Sequence, residues 1–217
     1  MTVIPRPAST VVLMDHLSRV YLTKRPETMK FFGGYYVFPG GAVEEADYSL
    51  GSEFIKSVQR EDSFDLAYYV AAARELFEEV GVLLCSQDDG SPGLFTKEVE
   101  MEYRRLLIKG KFSFLDMLKQ EGLHLNLENL TYFGHLTTPK ERPIRFSTRF
   151  FLAQLPKGQF PKPDLNEIDE AFWFSPEAAL QANQHGEISL GRPTIHALRT
   201  IMNYKTGSPL MMPELRK

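Results

Sequence analysis

Arg74-Glu75-Leu76-Phe77-Glu78-Glu79-Val80-Gly81-Val82 places three glutamates within five residues. Glu75, Glu78 and Glu79 stand at i, i+3 and i+4, so a helix carries all three carboxylates on one face. Like charges in that arrangement repel and weaken a helix unless a cation neutralises them. Three hard oxygen donors suit Mg²⁺ or Mn²⁺, which take carboxylates together with water and substrate phosphate. The alternative is a solvated acidic face, common in globular proteins, and spacing alone does not choose between them. Tyr69, Ala73, Leu76 and Val80 form an apolar stripe, so a helix over Asp65 to Val80 can be anchored in a core while its acids line a cleft. Gly81 supplies a C-terminal stop, and Val82-Leu83-Leu84-Cys85 reads as a buried strand.

Upstream lies Phe38-Pro39-Gly40-Gly41, where paired glycines after proline mark unusual dihedrals or close approach to a ligand. It ends a loop that begins at Lys24. Before that loop, Ser9 to Met14 and Arg19 to Thr23 are short, largely apolar segments joined by Asp15-His16-Leu17-Ser18, which predicts a hairpin. Ala42 to Phe64 is polar and acidic without periodicity, apart from a helical turn near Phe54 to Val58. Downstream, helices are expected over Lys97 to Lys109 and Ser113 to Gln120, with Ser113 and Asp116 spaced as cap and first-turn acid. Strands are expected over Leu130 to Thr137, Ser147 to Leu155 and Ala171 to Phe174. Ser175-Pro176-Glu177 opens a further helix, and a last one runs from Pro193 to about Tyr204. With no repeat and no linker, the expectation is one α+β domain over residues 1–217, carrying a small helical insertion at about 95–121.

With 43% hydrophobic and 24% charged residues over 217 positions, the chain has the composition of a globular protein rather than a disordered one. A formal net charge of -3 gives no basic excess of the kind nucleic-acid binding requires, so any anion must be captured locally. Cys85 is the sole cysteine, which excludes an intrachain disulfide and a thiolate zinc site. The five histidines are scattered without ligand spacing. No apolar run has the length of a membrane span, and neither terminus carries a signal peptide or address motif. A cytoplasmic enzyme with no membrane or nucleic-acid partner is the resulting expectation; the oligomeric state is not legible.

The nine residues quoted first resemble the second half of the Nudix hydrolase box, G-x5-E-x7-R-E-U-x-E-E-x-G-U, at every specified position. Gly41 fits the opening glycine. Asp47 stands where the box has glutamate, and the gap from Asp47 to Arg74 is much longer than the usual seven residues. The resemblance implies an α/β/α sandwich around a mixed β-sheet. It also implies metal ligation by Glu75, Glu78 and Glu79, with the Gly40 carbonyl a further ligand and Arg74 orienting the acids. Such enzymes often recruit a carboxylate from outside the box; Glu167 in the loop before Trp173 is the first choice and Glu170 the second. Asp47, being short and beside the insertion, is expected to matter less than Glu75.

A narrower resemblance covers Leu22-Thr23-Lys24-Arg25, Lys30 and Gly34 through Gly41. It is to the coenzyme A diphosphatase signature LLTxR(S/A)x3Rx3GxxxFPGG, with Tyr21, Pro26 and Lys30 as departures. Arg6 through Leu13 and Arg145 through Phe151 are similar to the peroxisomal coenzyme A diphosphatase branch and its bacterial relatives. This implies hydrolysis of coenzyme A or acyl-coenzyme A, with Arg25 and Lys30 holding phosphates and Arg25 reading the ribose 3′-phosphate. Lys140, Arg142 and Arg145 form a second basic cluster. Two other readings stand beside it: hydrolysis of another nucleoside diphosphate derivative such as NADH or an ADP-sugar, and a ligand sensor of the same fold without catalysis. A sensor has no need of its box carboxylates, whereas Glu75, Glu78 and Glu79 are all present.

Overall fold

A computed structural model describes residues 3–56 and 62–213. Strand β1 (Arg6–Met14) turns into β2 (Val20–Lys24) through Asp15, whose Oδ1 accepts the backbone N–H groups of Leu17 and Arg19. This is the side-chain-to-backbone turn that Asp favours, and it closes the expected hairpin. After the loop come β3 (Tyr36–Val37), β4 (Gly40–Ala42) and β5 (Ile55–Lys56), then α1 (Ala67–Val80) and β6 (Cys85–Ser86). Helices α2 (Lys97–Ile108) and α3 (Phe114–Glu121) precede β7 (His124–Asn126), β8 (Thr131–Thr137), β9 (Phe146–Gln154) and β10 (Glu170–Phe174). Helices α4 (Pro176–Gln184) and α5 (Arg192–Tyr204) follow.

The main sheet runs β10-β2-β1-β9-β8, with β3 beside β2 and β4 beside β1. It is mixed: β1 and β9 pair in parallel from Arg6↔Phe146 to Met14↔Gln154, and the other pairs are antiparallel. Side chains alternate across the two central strands, so each feeds both faces. Val11, Leu13, Phe151 and Ala153 pack with Tyr69, Leu76 and Phe77 of α1. Val12, Phe150 and Leu152 pack on the opposite face with Ala197, Leu198 and Ile201 of α5. Each large side chain so buried contributes about 1.5–3 kcal/mol. The result is the α/β/α layering expected from the sequence, and α1 is clamped along its apolar stripe.

Two expected elements differ. Val82, Leu83 and Leu84 are buried but form no strand; pairing begins only at Cys85, in a small second sheet ordered β5-β7-β6. The reason is Gln159, whose amide accepts from Leu83 N at 2.8 Å and donates to Leu83 O at 2.8 Å, satisfying both backbone groups that a strand neighbour would otherwise take. The turn expected near Phe54 is a 3₁₀ segment, Ser52–Phe54, followed by β5, and Val58 lies outside the described residues.

Candidate active site

Helix α1 brings its acidic face against β4. Gly40 has φ 154, and a Cβ there would meet Ser9 O at 2.3 Å and Thr10 Cα at 2.7 Å, so only glycine lets β4 lie this close to β1. Gly41 faces the helix: a Cβ would fall 2.4 Å from Glu75 Oε1. The Phe38-Pro39-Gly40-Gly41 turn thus removes side chains where carboxylates must approach backbone. Gly40 N–H donates to Glu79 Oε2 at 3.1 Å, tying β4 to the acidic face.

Arg74 is buried and fully engaged. Its Nε donates to Asp47 Oδ1 at 2.9 Å, and its Nη2 to Asp47 Oδ2 at 3.1 Å and to Ala42 O at 2.9 Å. Its Nη1 donates to Glu75 Oε1 at 2.9 Å and Glu78 Oε2 at 3.2 Å. Burial lowers its proton affinity, but the Asp47 bond and the charges of Glu75, Asp47 and Glu78 more than offset this, so the guanidinium is held charged. The geometry answers the question of whether Asp47 can reach the helix. The shorter acid does reach Arg74, in a two-pronged pair, because the 3₁₀ segment Glu45–Ser49 carries it to the helix and fixes it through Glu44 N–H at 2.8 Å. The long gap in the box hid this from the sequence.

One guanidinium does not balance the acids. Burial pushes the Glu78 carboxyl up to about 8, with Arg74 opposing and Glu75 adding repulsion. Glu75 is raised by burial, against Arg74, with Asp47 and Glu167 adding to the rise. Glu79 is raised well above the ordinary range by burial and by the Glu75 charge, with Arg25 and the Gly40 N–H opposing. Glu167 is raised by burial and by Asp164, with Arg25 opposing. The charges of Glu75 and Glu167 thus act on Glu79, and that of Arg25 acts on Glu79 and Glu167. Glu170 has partners of its own: it accepts from Tyr36 Oη at 2.8 Å and Lys24 Nζ at 3.3 Å where β2 and β10 pair. Lys30 is exposed on the loop and makes no ion pair among the described residues. The second basic cluster does not hold together either. Arg145 is buried and donates to the carbonyls of Thr138 and Val3, whereas Lys140 and Arg142 are exposed at the β8–β9 turn. A cavity of about 280 Å³ opens beside Arg74 and Glu78, walled by Glu44 and by Lys111, Phe112 and Ser113 of the α2–α3 turn. Nothing in the local pattern of that turn signalled its place next to the box.

Residues 52–201 match the family model described as the NUDT19 Nudix domain. This chain belongs to the Nudix hydrolase family. It is 30% identical to a Nudix hydrolase of known structure from Alicyclobacillus acidocaldarius, with a TM-score of 0.83 covering 98% of this chain and all of that one. It is 26% identical over 240 residues to the acyl-coenzyme A diphosphatase NUDT19 of Homo sapiens, covering 88% of this chain and 62% of that protein. With the protein of the same name from Xenopus laevis the identity is 25% over 229 residues, covering 85% and 60%. The chain thus spans about three fifths of the length of these relatives.

Nudix hydrolases generally use divalent metals, and the residues here can be tested for fit. As placed, no three acids among the described residues converge on a common point, since Arg74 holds Glu75 and Glu78. The donor chemistry nevertheless fits a hard divalent ion: all oxygen, on one rigid helix, with a buried excess of carboxylate charge that only further positive charge relieves. Among the described residues, no helix is long and apolar enough to cross a membrane.

Proposed function

We propose that this protein hydrolyses the diphosphate of coenzyme A or an acyl-coenzyme A, giving 3′,5′-ADP and 4′-phosphopantetheine or its acyl form. The observation that carries the proposal is the placement of the α1 acids against β4, with Arg74 donating to Glu75 at 2.9 Å and to Glu78 at 3.2 Å and the Gly40 N–H donating to Glu79 at 3.1 Å. The likeness to proteins named acyl-coenzyme A diphosphatase supports the substrate. Glu75, Glu78 and Glu79 would hold Mg²⁺ or Mn²⁺, with the Gly40 carbonyl a further donor. A divalent ion there supplies charge neutralisation of the diphosphate and acidification of a water. We assign Glu167 the role of accepting a proton from the attacking water as the bridging P–O bond breaks, a role its raised carboxyl would suit. Arg74 keeps the helix acids apart and oriented, and Arg25 offers a planar fork to the diphosphate oxygens.

We assign Arg25 to the scissile diphosphate rather than to the ribose 3′-phosphate. Its charge acts on Glu79 and Glu167, and its Nε is buried without a hydrogen-bond partner among the described residues. A buried donor left open and coupled to the acids suits a phosphate at the reacting centre better than a distant one. Arg25→Ala is therefore expected to lower kcat/KM about 10- to 100-fold, the worth of a charge-assisted hydrogen bond, and equally for coenzyme A and dephospho-coenzyme A. A loss confined to coenzyme A would return the residue to the 3′-phosphate.

The deciding assay is a panel of coenzyme A, acetyl-coenzyme A, NADH and ADP-ribose with Mg²⁺ and with Mn²⁺. Coenzyme A species are expected to give the highest kcat/KM. Faster turnover of NADH or ADP-ribose would overturn the substrate while leaving the diphosphatase chemistry standing.

A further inference from the structure

The end of α1 is held from outside the box. Gly81, at φ 69, closes the helix with its N–H on Phe77 O at 2.9 Å, which leaves the carbonyls of Glu78, Glu79 and Val80 without a partner inside the helix. Arg104 of α2, itself buried, takes two of them: Nε donates to Glu78 O at 3.0 Å and Nη2 to Glu79 O at 3.0 Å. Backbone from the chain before β10 serves the same turn, with Lys162 N–H on Val80 O at 2.7 Å and Asp164 N–H on Glu79 O at 2.8 Å. Glu100, one helical turn before Arg104, accepts from Arg104 Nη1 at 3.4 Å and from the Lys162 ammonium. The packing is close: a Cβ on Gly81 would stand 2.6 Å from Glu100 Oε1 and 3.2 Å from Arg104 Nη1.

We propose that Arg104 is a positioning residue, which fixes the last turn of α1 through the Glu78 and Glu79 carbonyls and so sets the direction in which their carboxylates meet the cation. The proposal rests on the metal-dependent reading above. A cation at a helix C-terminus complements the helix dipole, and a guanidinium bonded to two successive carbonyls resists both fraying and rotation of the turn. The Asp164 bond extends the same brace toward Glu167, three residues on. The helical insertion thereby determines how far the helix acids stand from the loop acid. Misplacement of such groups by a fraction of a bond length is costly, which gives a remote brace a measurable effect.

The test measures Mn²⁺ binding to the full chain by calorimetry, without substrate, alongside thermal melting. Arg104→Ala is expected to weaken Mn²⁺ binding about 10-fold, as loss of a partner that orients metal ligands does. Arg104→Lys, which can serve one carbonyl at a time, is expected to fall between that variant and the parent. Tyr103→Phe is the control. It removes the hydroxyl contact to Glu121 between α2 and α3 without touching α1, so it lowers Tm and leaves Mn²⁺ affinity unchanged. Should Arg104→Ala not fold, Arg104→Lys decides alone. Parent-like Mn²⁺ affinity in a folded Arg104 variant overturns the proposal, and so does an equal loss in Tyr103→Phe. A parent chain that binds no Mn²⁺ overturns the metal reading itself, a distinguishable result.

Discussion

Glu79→Gln and Glu78→Gln are each expected to lower kcat by about 10²-fold or more, the loss that follows removal of a major electrostatic stabiliser. Both keep the shape of the side chain, and the Glu79 variant keeps a carbonyl oxygen for the Gly40 N–H. What they remove is negative charge at a site built to exceed its own positive charge. The same excess gives the variants a second signature. Burial and repulsion from Glu75 raise both Glu78 and Glu79, so neutralising either relieves strain in the folded chain. In EDTA, the glutamine variants should therefore melt no lower than the parent, while EDTA abolishes turnover of the parent. Near-normal turnover in both variants would remove α1 from the mechanism. A large fall in Tm would show instead that the acids are structural.

Asp47→Ala is expected to destabilise the protein by about 3 kcal/mol, the lower end of the cost of breaking a buried ion pair from one side. At this chain length that corresponds to a fall in Tm of roughly 10 °C. The lower end applies because Arg74 keeps Glu75, Glu78 and the Ala42 carbonyl. Two of its five hydrogen bonds vanish, however, and the Glu44 N–H loses its acceptor. Turnover should fall as well. A guanidinium released from Asp47 settles more firmly on Glu75 and Glu78 and competes with a cation for them. Asp47→Asn, which preserves the shape and the Glu44 contact, is expected to lose less stability than the alanine variant. A melting temperature indistinguishable from the parent's would show that the Asp47–Arg74 pair does not stabilise the fold.

What was legible in the sequence is what local periodicity carries. The i, i+3, i+4 spacing of Glu75, Glu78 and Glu79, the apolar stripe of α1 and the Gly81 stop are set by residues within a few turns of one another. Backbone geometry alone turns that spacing into a face. The hairpin at Asp15, the cap at Ser113 and the Ser175-Pro176 helix start are local in the same sense. β4 was not legible, because Gly40 and Gly41 have no strand propensity of their own and pair only where β1 lies against them. Nor was the failure of Val82 to Leu84 to form a strand, since the competitor for their backbone is Gln159, far along the chain.

The sequence by itself determined the box helix, its acidic face and the fold class. Only the tertiary structure decided what holds that helix: Asp47 on Arg74, the Gly40 N–H on Glu79, and Arg104 on the Glu78 and Glu79 carbonyls. It also gave Glu170 partners of its own in Tyr36 and Lys24. The physical reason is that hydrogen bonds and charge couplings fall off over a few ångströms in space and are indifferent to separation along the chain. Asp47 and Arg104 become neighbours of α1, one at its middle and one at its C-terminal end, only after the sheet and the insertion have buried the helix.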